Sequence, residues 1–166
     1  NAEERARGLL NRMIYHHHHH NHERADDADD DDDGDVAFAR PDTFSYNNML
    51  NLYATRGDVG AAEALLRRME TSVDGGFASP DVYSYSITMN AFQRRFTSSS
   101  RDDRDMMDLE RAEGILSRLT SRYENSGYRD ARLRPTNVTF STIMSMYAQA
   151  DRMLKQDDWG SPKTRK

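Results

Sequence analysis

Hydrophobic and polar positions along this chain fall into two alternating kinds of segment, each with a helical period. The first kind reads EERARGLLNRM over residues 3–13, GAAEALLRRM over 60–69 and LERAEGILSRL over 109–119. Ala6, Ala62 and Ala112 align, followed by Leu9, Leu65 and Ile115, then Leu10, Leu66 and Leu116, then Met13, Met69 and Leu119. Those positions stand at i, i+3, i+4 and i+7, one face of an α-helix, while Arg and Glu fill the other. The small alanine lets a neighbouring helix approach closely. This element is termed helix B.

The second kind reads TFSYNNMLNLYA over 43–54, VYSYSITMNAFQ over 82–93 and NVTFSTIMSMYA over 137–148. Tyr46, Tyr85 and Phe140 align, as do Leu50, Met89 and Met144, and then Tyr53, Phe92 and Tyr147. Their spacing is i, i+4, i+7, so this element, helix A, is also helical. Its β-branched and aromatic residues suit a strand as well, but strict alternation is missing and twelve residues is long for a strand. A proline precedes each copy, at Pro41, Pro80 and Pro135, where it separates one unit from the next. Residues 56–58, Arg-Gly-Asp, supply a tight turn between A and B.

The order is therefore B, A, B, A, B, A. A single hairpin cannot bury both its faces, so neighbours must stack to make a core. The predicted fold is all-α: an α-solenoid of stacked antiparallel helix-turn-helix repeats with disordered insertions. Its parts are the second helix of a leading partial repeat (1–15) and a His/Asp-rich low-complexity insertion (16–40). A first full repeat (41–81) and a second with insertions (82–136) follow. The first helix of a trailing repeat (137–150) and a polar tail (151–166) complete the chain. The insertions at 14–40, 70–79, 96–106 and 122–134 are expected to interrupt loops rather than helices. Tyr46, Tyr85 and Phe140 are expected in the core.

Composition agrees with thin helical layers. Only 36% of the chain is apolar and 31% is charged, too little apolar material for one thick core. No apolar run approaches the roughly 20 residues of a membrane helix, and the reading is of a soluble protein without a membrane partner. Without cysteine there is no disulfide, thiolate metal site or cysteine nucleophile. The chain opens on Asn1 inside a helical pattern, which predicts a piece of a longer protein without its targeting segment.

The net charge of -5 arises from one stretch: residues 16–35 hold Glu23 and eight aspartates against Arg24. The remainder is mildly basic, which permits a polyanionic partner. Histidines at 16–20 and 22 sit in the same tract, where nothing fixes a ligand geometry, so no metal and no cofactor is expected. With every histidine in that tract and no phosphate-binding glycine loop, no catalytic constellation forms, and an enzyme is not expected.

Residues 41–47, Pro-Asp then Thr-Phe into Ser-Tyr-Asn, resemble the entry to a pentatricopeptide repeat. Met49-Leu50, Tyr53-Ala54, Gly57-Asp58 and residues 62–69 continue that family's pattern. Pro80-Asp81 with Ser84-Tyr85-Ser86, and Pro135-Thr136 with Thr139-Phe140-Ser141, open two further units. These stretches cover about two thirds of the chain. The tetratricopeptide alternative wants an early Trp with a following Leu-Gly, whereas the single tryptophan is Trp159. Two spacings depart from the family's regular unit: Tyr46 and Tyr85 are 39 residues apart, and Tyr85 and Phe140 are 55.

The resemblance implies sequence-selective binding of single-stranded RNA, with about one repeat per base and two or three side chains reading each base edge. It also implies an organellar setting, mitochondrion or chloroplast, in RNA processing, stability or translation. By the same resemblance the readers are the residue after the helix A aromatic and the residue after the boundary proline. That gives Asn47 with Asp81, a pyrimidine reader favouring uracil, and Ser86 with Thr136, leaning to purine. Asp42 and Ser141 belong to units whose other halves are missing or irregular. Phe44, Tyr83 and Val138 are the candidates for stacking on bases. Arg56, Arg67, Arg68, Arg94 and Arg95 are candidates for phosphates. Against this stands a structural role: polar residues near a helix start commonly cap it, and scattered arginines commonly face solvent. The alternative function is a helical-repeat scaffold binding a protein partner.

Overall fold

The computed structural model describes residues 2–23, 41–71, 78–98 and 103–159. Within them run six α-helices, α1 (Ala2–Glu23), α2 (Thr43–Arg56), α3 (Val59–Thr71), α4 (Val82–Ser98), α5 (Asp103–Asn125) and α6 (Asn137–Trp159). A single 3-10 turn, Ala131–Leu133, precedes α6. No strand occurs among the described residues. Helices α2, α4 and α6 are the A type, and α1, α3 and α5 the B type, in the predicted alternation.

The turn from α2 to α3 shows how few residues a hairpin needs. Gly57 adopts φ 73°, the left-handed region that glycine enters without a Cβ penalty, and ends α2. Its N–H reaches the carbonyl of Ala54 at 3.2 Å, and the Asp58 N–H reaches that of Tyr53 at 3.0 Å. Asp58 then caps α3 by accepting from the Ala61 N–H at 2.9 Å. One residue closes a helix and the next opens another.

Each helix packs on its neighbour in the chain, and the A helices also pack on one another, α2 on α4 and α4 on α6. The core lies between the two layers. Tyr46, Leu50, Ala62, Leu66, Tyr85, Met89, Phe92, Ala112, Ile115 and Leu119 are all fully buried there, on the faces that the repeat alignment assigns. Phe140 departs from expectation: it is half-exposed, not core. Tyr46 and Tyr85 are covered by α3 and α5, whereas among the described residues no B helix packs beyond α6.

The long second spacing is absorbed by longer helices rather than by loops alone. Helices α4 and α5 have 17 and 23 residues, against 14 and 13 for α2 and α3. The start of α5 is held by Asp108, whose carboxylate takes Arg95 of α4 in a bidentate ion pair. Helix α1 likewise continues past residue 15 to Glu23, since no proline or glycine interrupts the tract. Helix α6 runs past residue 150 to Trp159, with Lys155 and Asp151 paired one turn apart at 2.7 Å. The rest of the His/Asp insertion (24–40), and residues 72–77, 99–102 and 160–166, lie outside the described residues.

Across the outer layer, α3 and α5 meet through charge. Glu63 of α3 is buried and accepts from Arg67 at 2.8 Å and from Arg111 Nε of α5 at 3.0 Å. Arg118 lies 3.8 Å from Glu63 and donates to Glu70 at 3.1 Å. Burial works to raise the Glu63 pKa, but the guanidiniums of Arg67 and Arg111 outweigh it and hold the carboxyl below its ordinary value. Arg111 and Arg95 also lie over the Phe92 ring, at 5.0 and 5.8 Å from its centroid.

Candidate nucleic-acid interface

The N-terminal ends of α2, α4 and α6 carry the same small set of positions, repeated at each boundary. Three residues before each reading position stands an apolar side chain: Phe44, Tyr83 and Val138. These are 70%, 68% and 56% exposed. Tyr46 and Tyr85, two residues further along their helices, are fully buried. A helix can place residues i and i+2 on nearly opposite sides, so the sequence buries one aromatic and presents the other. The result is a row of exposed apolar groups, one per A helix.

Between Phe44 and Tyr83 along this row lies a polar cluster that joins two repeats. Asn47 of α2 and Asp81, the residue before α4, come together although 34 positions separate them. Asn47 Nδ2 donates to Asp81 Oδ1 at 3.3 Å. Ser84 stands between them, its Oγ 2.6 Å from Asn47 Oδ1 and 3.0 Å from Asp81 Oδ1. A hydroxyl has one proton, so it serves one of these acceptors at a time. The Ser84 N–H donates to Asp81 Oδ1 at 2.9 Å, and the Asp81 N–H donates to Ser84 Oγ at 3.2 Å. This is a reciprocal N-cap of α4.

The capping role foreseen as the rival to base reading is therefore present, and the two are compatible. Among the described residues, the hydrogen bonds to the Asp81 side chain fall on Oδ1. Asn47 has its oxygen facing Ser84, which leaves amide N–H capacity on the outer side. The pair is thus a fixed donor beside a fixed acceptor, at the edge between two repeats and between two exposed rings.

The other predicted readers are arranged differently. Asp42 caps α2, accepting from the Ser45 N–H at 2.8 Å and from Ser45 Oγ at 2.9 Å. These bonds, the backbone one foremost, hold its pKa below the ordinary value. Ser86 turns its hydroxyl back to the Val82 carbonyl at 2.7 Å, and Ser141 does the same to Val138 at 3.1 Å. No hydrogen bond joins Ser86 to Thr136 among the described residues. At Thr136 the cap is made by Thr139, whose Oγ1 donates to the Thr136 carbonyl at 2.6 Å and accepts from its N–H at 3.1 Å. A crossing bond at this second boundary occurs deeper along the helices, from Thr142 to Asn90 at 3.2 Å.

Three of the arginines expected at phosphates have other work. Arg56 pairs with Glu3 of α1, Arg67 with Glu63, and Arg95 with Asp108. The pairs of Arg56 and Arg95 join two helices, which sequence spacing could not show, whereas Arg67 and Glu63 stand one turn apart on α3. Ser84 is the member of this cluster that sequence reading missed. Its signal was present in the Asp-x-x-Ser spacing from Asp81 to Ser84, a capping pattern.

Residues 41–94 match the model of the PPR repeat family. This segment carries a pentatricopeptide repeat. That match covers the first full repeat and helix A of the second, the segment that contains Asn47, Asp81, Ser84 and both exposed rings. Beyond that match, Ala112, Ile115 and Leu119 of α5 are buried like their α3 equivalents, whereas Phe140, Met144 and Tyr147 of α6 are exposed. Neither the curated proteins nor the solved structures yield a match to the chain. Among the described residues no helix is long and apolar enough to cross a membrane. None of their His, Asp and Glu side chains group as a metal site, and the histidine side chains of residues 16–20 and 22 lie outside that description.

Proposed function

We propose that this pentatricopeptide-repeat chain binds single-stranded RNA, with a uracil read by Asn47 and Asp81 between Phe44 and Tyr83. The observation that carries the reading is the Asn47–Asp81 pair, held 3.3 Å apart between two rings that water would otherwise cover. Single-stranded bases offer both partners the pair needs: a π-face for each ring and an edge for the polar groups. On uracil, N3–H is a donor flanked by carbonyl acceptors, which suits the Asp81 carboxylate beside the Asn47 amide. Stacking contributes about 1–3 kcal/mol per base. The family likeness supports the remainder of the reading: binding rather than catalysis, and action on organellar transcripts in their processing, stability or translation.

Ser86 with Thr136 would read the next base, with a lean to purine, and Asp42 and Ser141 would serve the flanking positions. Val138 continues the row of stacking groups. With Arg56, Arg67 and Arg95 held by carboxylates, phosphate contacts are few. The salt dependence is accordingly shallow, since each phosphate neutralised on a single strand adds roughly 0.7 to the logarithmic slope.

Fluorescence anisotropy with oligo-U, oligo-A, oligo-C and a duplex tests this directly. Single-strand selectivity with uracil preferred is expected. Asn47→Ala should lower uracil binding about tenfold, the value of one good hydrogen-bonded contact. Asp81→Asn keeps the cap, because Asn and Asp cap equally well. It replaces an acceptor with an N–H, so preference should move toward cytosine, whose N3 accepts. Binding indifferent to base and to both substitutions would remove base reading. No RNA binding by the folded chain would leave the exposed row to a protein partner.

A further inference from the structure

Helix α5 carries a doublet that stacking of repeats does not require. Residues 117–122 read Ser-Arg-Leu-Thr-Ser-Arg, so a Ser-Arg pair recurs four positions on. Such positions share a helix face, and like charges placed there repel one another. The aligned residues of the other B helices read Asn-Arg-Met-Ile-Tyr-His over 11–16 and Arg-Arg-Met-Glu-Thr-Ser over 67–72. Neither has the doublet.

The doublet lines a cleft of about 260 Å³, formed by Ser117, Arg118, Ser121 and Arg122 of α5 with Glu70 of α3. Ligand pockets run from about 300 Å³ upward, so this cleft suits a group of phosphate size rather than an extended cofactor. Charge is unbalanced around it. Arg118 donates to Glu70 at 3.1 Å and lies 3.8 Å from Glu63, which Arg67 and Arg111 already hold. Among the described residues, Arg122 hydrogen-bonds only to the Glu70 carbonyl, at 3.4 Å. Neighbouring Asp108 is taken by Arg95, and Asp130 by Arg132. Four guanidiniums (Arg67, Arg111, Arg118 and Arg122) therefore share the carboxylates of Glu63 and Glu70.

Unmet donors gather at the same place. Arg118 Nη2 and Arg122 Nε are buried without a hydrogen-bond partner among the described residues, whereas buried polar atoms are nearly always paired. The fully buried Tyr85 reaches this corner from α4. Burial and then Glu70 push its pKa up, while Arg122 and Arg118 draw it down.

We propose that this cleft binds a phosphate-sized dianion, either free phosphate or the end of a phosphomonoester. Arg118 and Arg122 turn their N–H groups toward it, and the Ser117 and Ser121 hydroxyls complete the seat. Guanidinium forks are the donors best matched to phosphate oxygens. Glu70 stands on the same wall and opposes the anion, so it weakens the site rather than building it. None of the base-reading or stacking residues lines the cleft, and the inference does not draw on RNA binding.

Calorimetric titration of the 166-residue chain with inorganic phosphate, at ionic strength fixed with chloride, should show one saturable site. In nitrogen-edited proton spectra the Nε–H signals of Arg118 and Arg122 should shift with that same midpoint. Arg122→Gln should weaken binding about tenfold, as expected for a lost charge-assisted contact. Ser121→Asp, at an exposed position, places a carboxylate in the seat and should abolish binding. Glu70→Gln should tighten binding several-fold, which a purely structural Glu70–Arg118 pair would not do. Circular dichroism verifies that each variant is folded. Glycerol phosphate serves as the ester probe. Affinity equal to that of inorganic phosphate assigns the site to an ester end, and a clear loss assigns it to the free ion; both support the proposal. Phosphate that never saturates overturns it. So does binding unchanged in Arg122→Gln and Ser121→Asp, or weakened in folded Glu70→Gln.

Discussion

At the boundary between α2 and α4, Asn47, Ser84 and Asp81 form one hydrogen-bonded cluster across two repeats. The equivalent positions between α4 and α6 are Ser86, Thr139 and Thr136. There Ser86 is turned into its own helix, and Thr139 caps α6 without reaching the neighbouring repeat. Outside the same first boundary, the buried Glu63 gathers Arg67, Arg111 and Arg118, while its second-boundary equivalent, Glu113, has Tyr147. One fold thus tolerates two kinds of seam. The backbone geometry comes from the shared apolar faces, and the polar residues decide how rigidly an edge is held and what it presents.

The largest effect of breaking that contrast should come from Glu63. Glu63→Ala leaves Arg111 and Arg118 without their shared counter-charge. Both guanidiniums retain about a third of their exposure and can turn to water, so the cost is expected near 2 kcal/mol rather than the 3–5 of a fully buried pair. Glu113→Ala should cost under about 0.5 kcal/mol by the same urea titration. Equal losses at the two sites would mean that the seams do not differ in strength.

The first seam also has a pH signature. Because the folded pKa of Glu63 is depressed, its stabilisation is fully present above the ordinary glutamate value of 4.5 and is lost as pH falls through the lower folded value. Wild type should lose more stability than Glu63→Ala across that acid range, so the gap between them narrows. A gap independent of pH between 6 and 3 (about the span that matters) would show that packing, not charge, is what Glu63 supplies.

A smaller contrast lies in the caps. Asp81→Ala removes the acceptor for Ser84 and the link to Asn47, and should cost about 1–2 kcal/mol. At the second boundary the cap bonds belong to Thr139, so Thr136→Ala should be within about 0.5 kcal/mol of wild type. A matched loss at Thr136 would reveal a contribution from its own hydroxyl.

How much of this was legible beforehand differs by kind of interaction. The helices, their alternation and the burial of Tyr46, Tyr85, Leu66 and Ile115 follow from period alone, because a core face is a local pattern repeated. Phe140 carries the same pattern and is exposed, since its burial depends on a helix that must pack from elsewhere. Helix lengths were misjudged where polar tracts lack proline and glycine, as at the end of α1 and of α6. The Asn47–Asp81 pairing was reached only through the family register; nothing in local spacing brings together residues 34 apart. The ion pairs of Arg56 and Arg95 were out of reach for a related reason, unlike that of Arg67, whose partner Glu63 is one turn away on the same helix. An arginine on a helix surface looks solvated until the facing helix is in place.

The sharpest use of the comparison is to convert the second boundary into the first. Ser86→Asn and Thr136→Asp together recreate the residues of the Asn47–Asp81 pair, with Thr139 in the place of Ser84. An aspartate at 136 can accept from the N–H of Thr139, as Asp81 accepts from that of Ser84, so α6 should gain about 0.5–1 kcal/mol of capping. If the proposed reading is right, RNA carrying two adjacent uracils should then be preferred over the wild-type choice by a few-fold, under about 1 kcal/mol. The gain is modest because Val138, unlike Phe44 and Tyr83, offers no aromatic face on its side of the base. Adding Val138→Tyr to the double variant should enlarge it. Capping gained with no change in base preference would locate specificity outside these pairs, and leave the first seam as a structural joint.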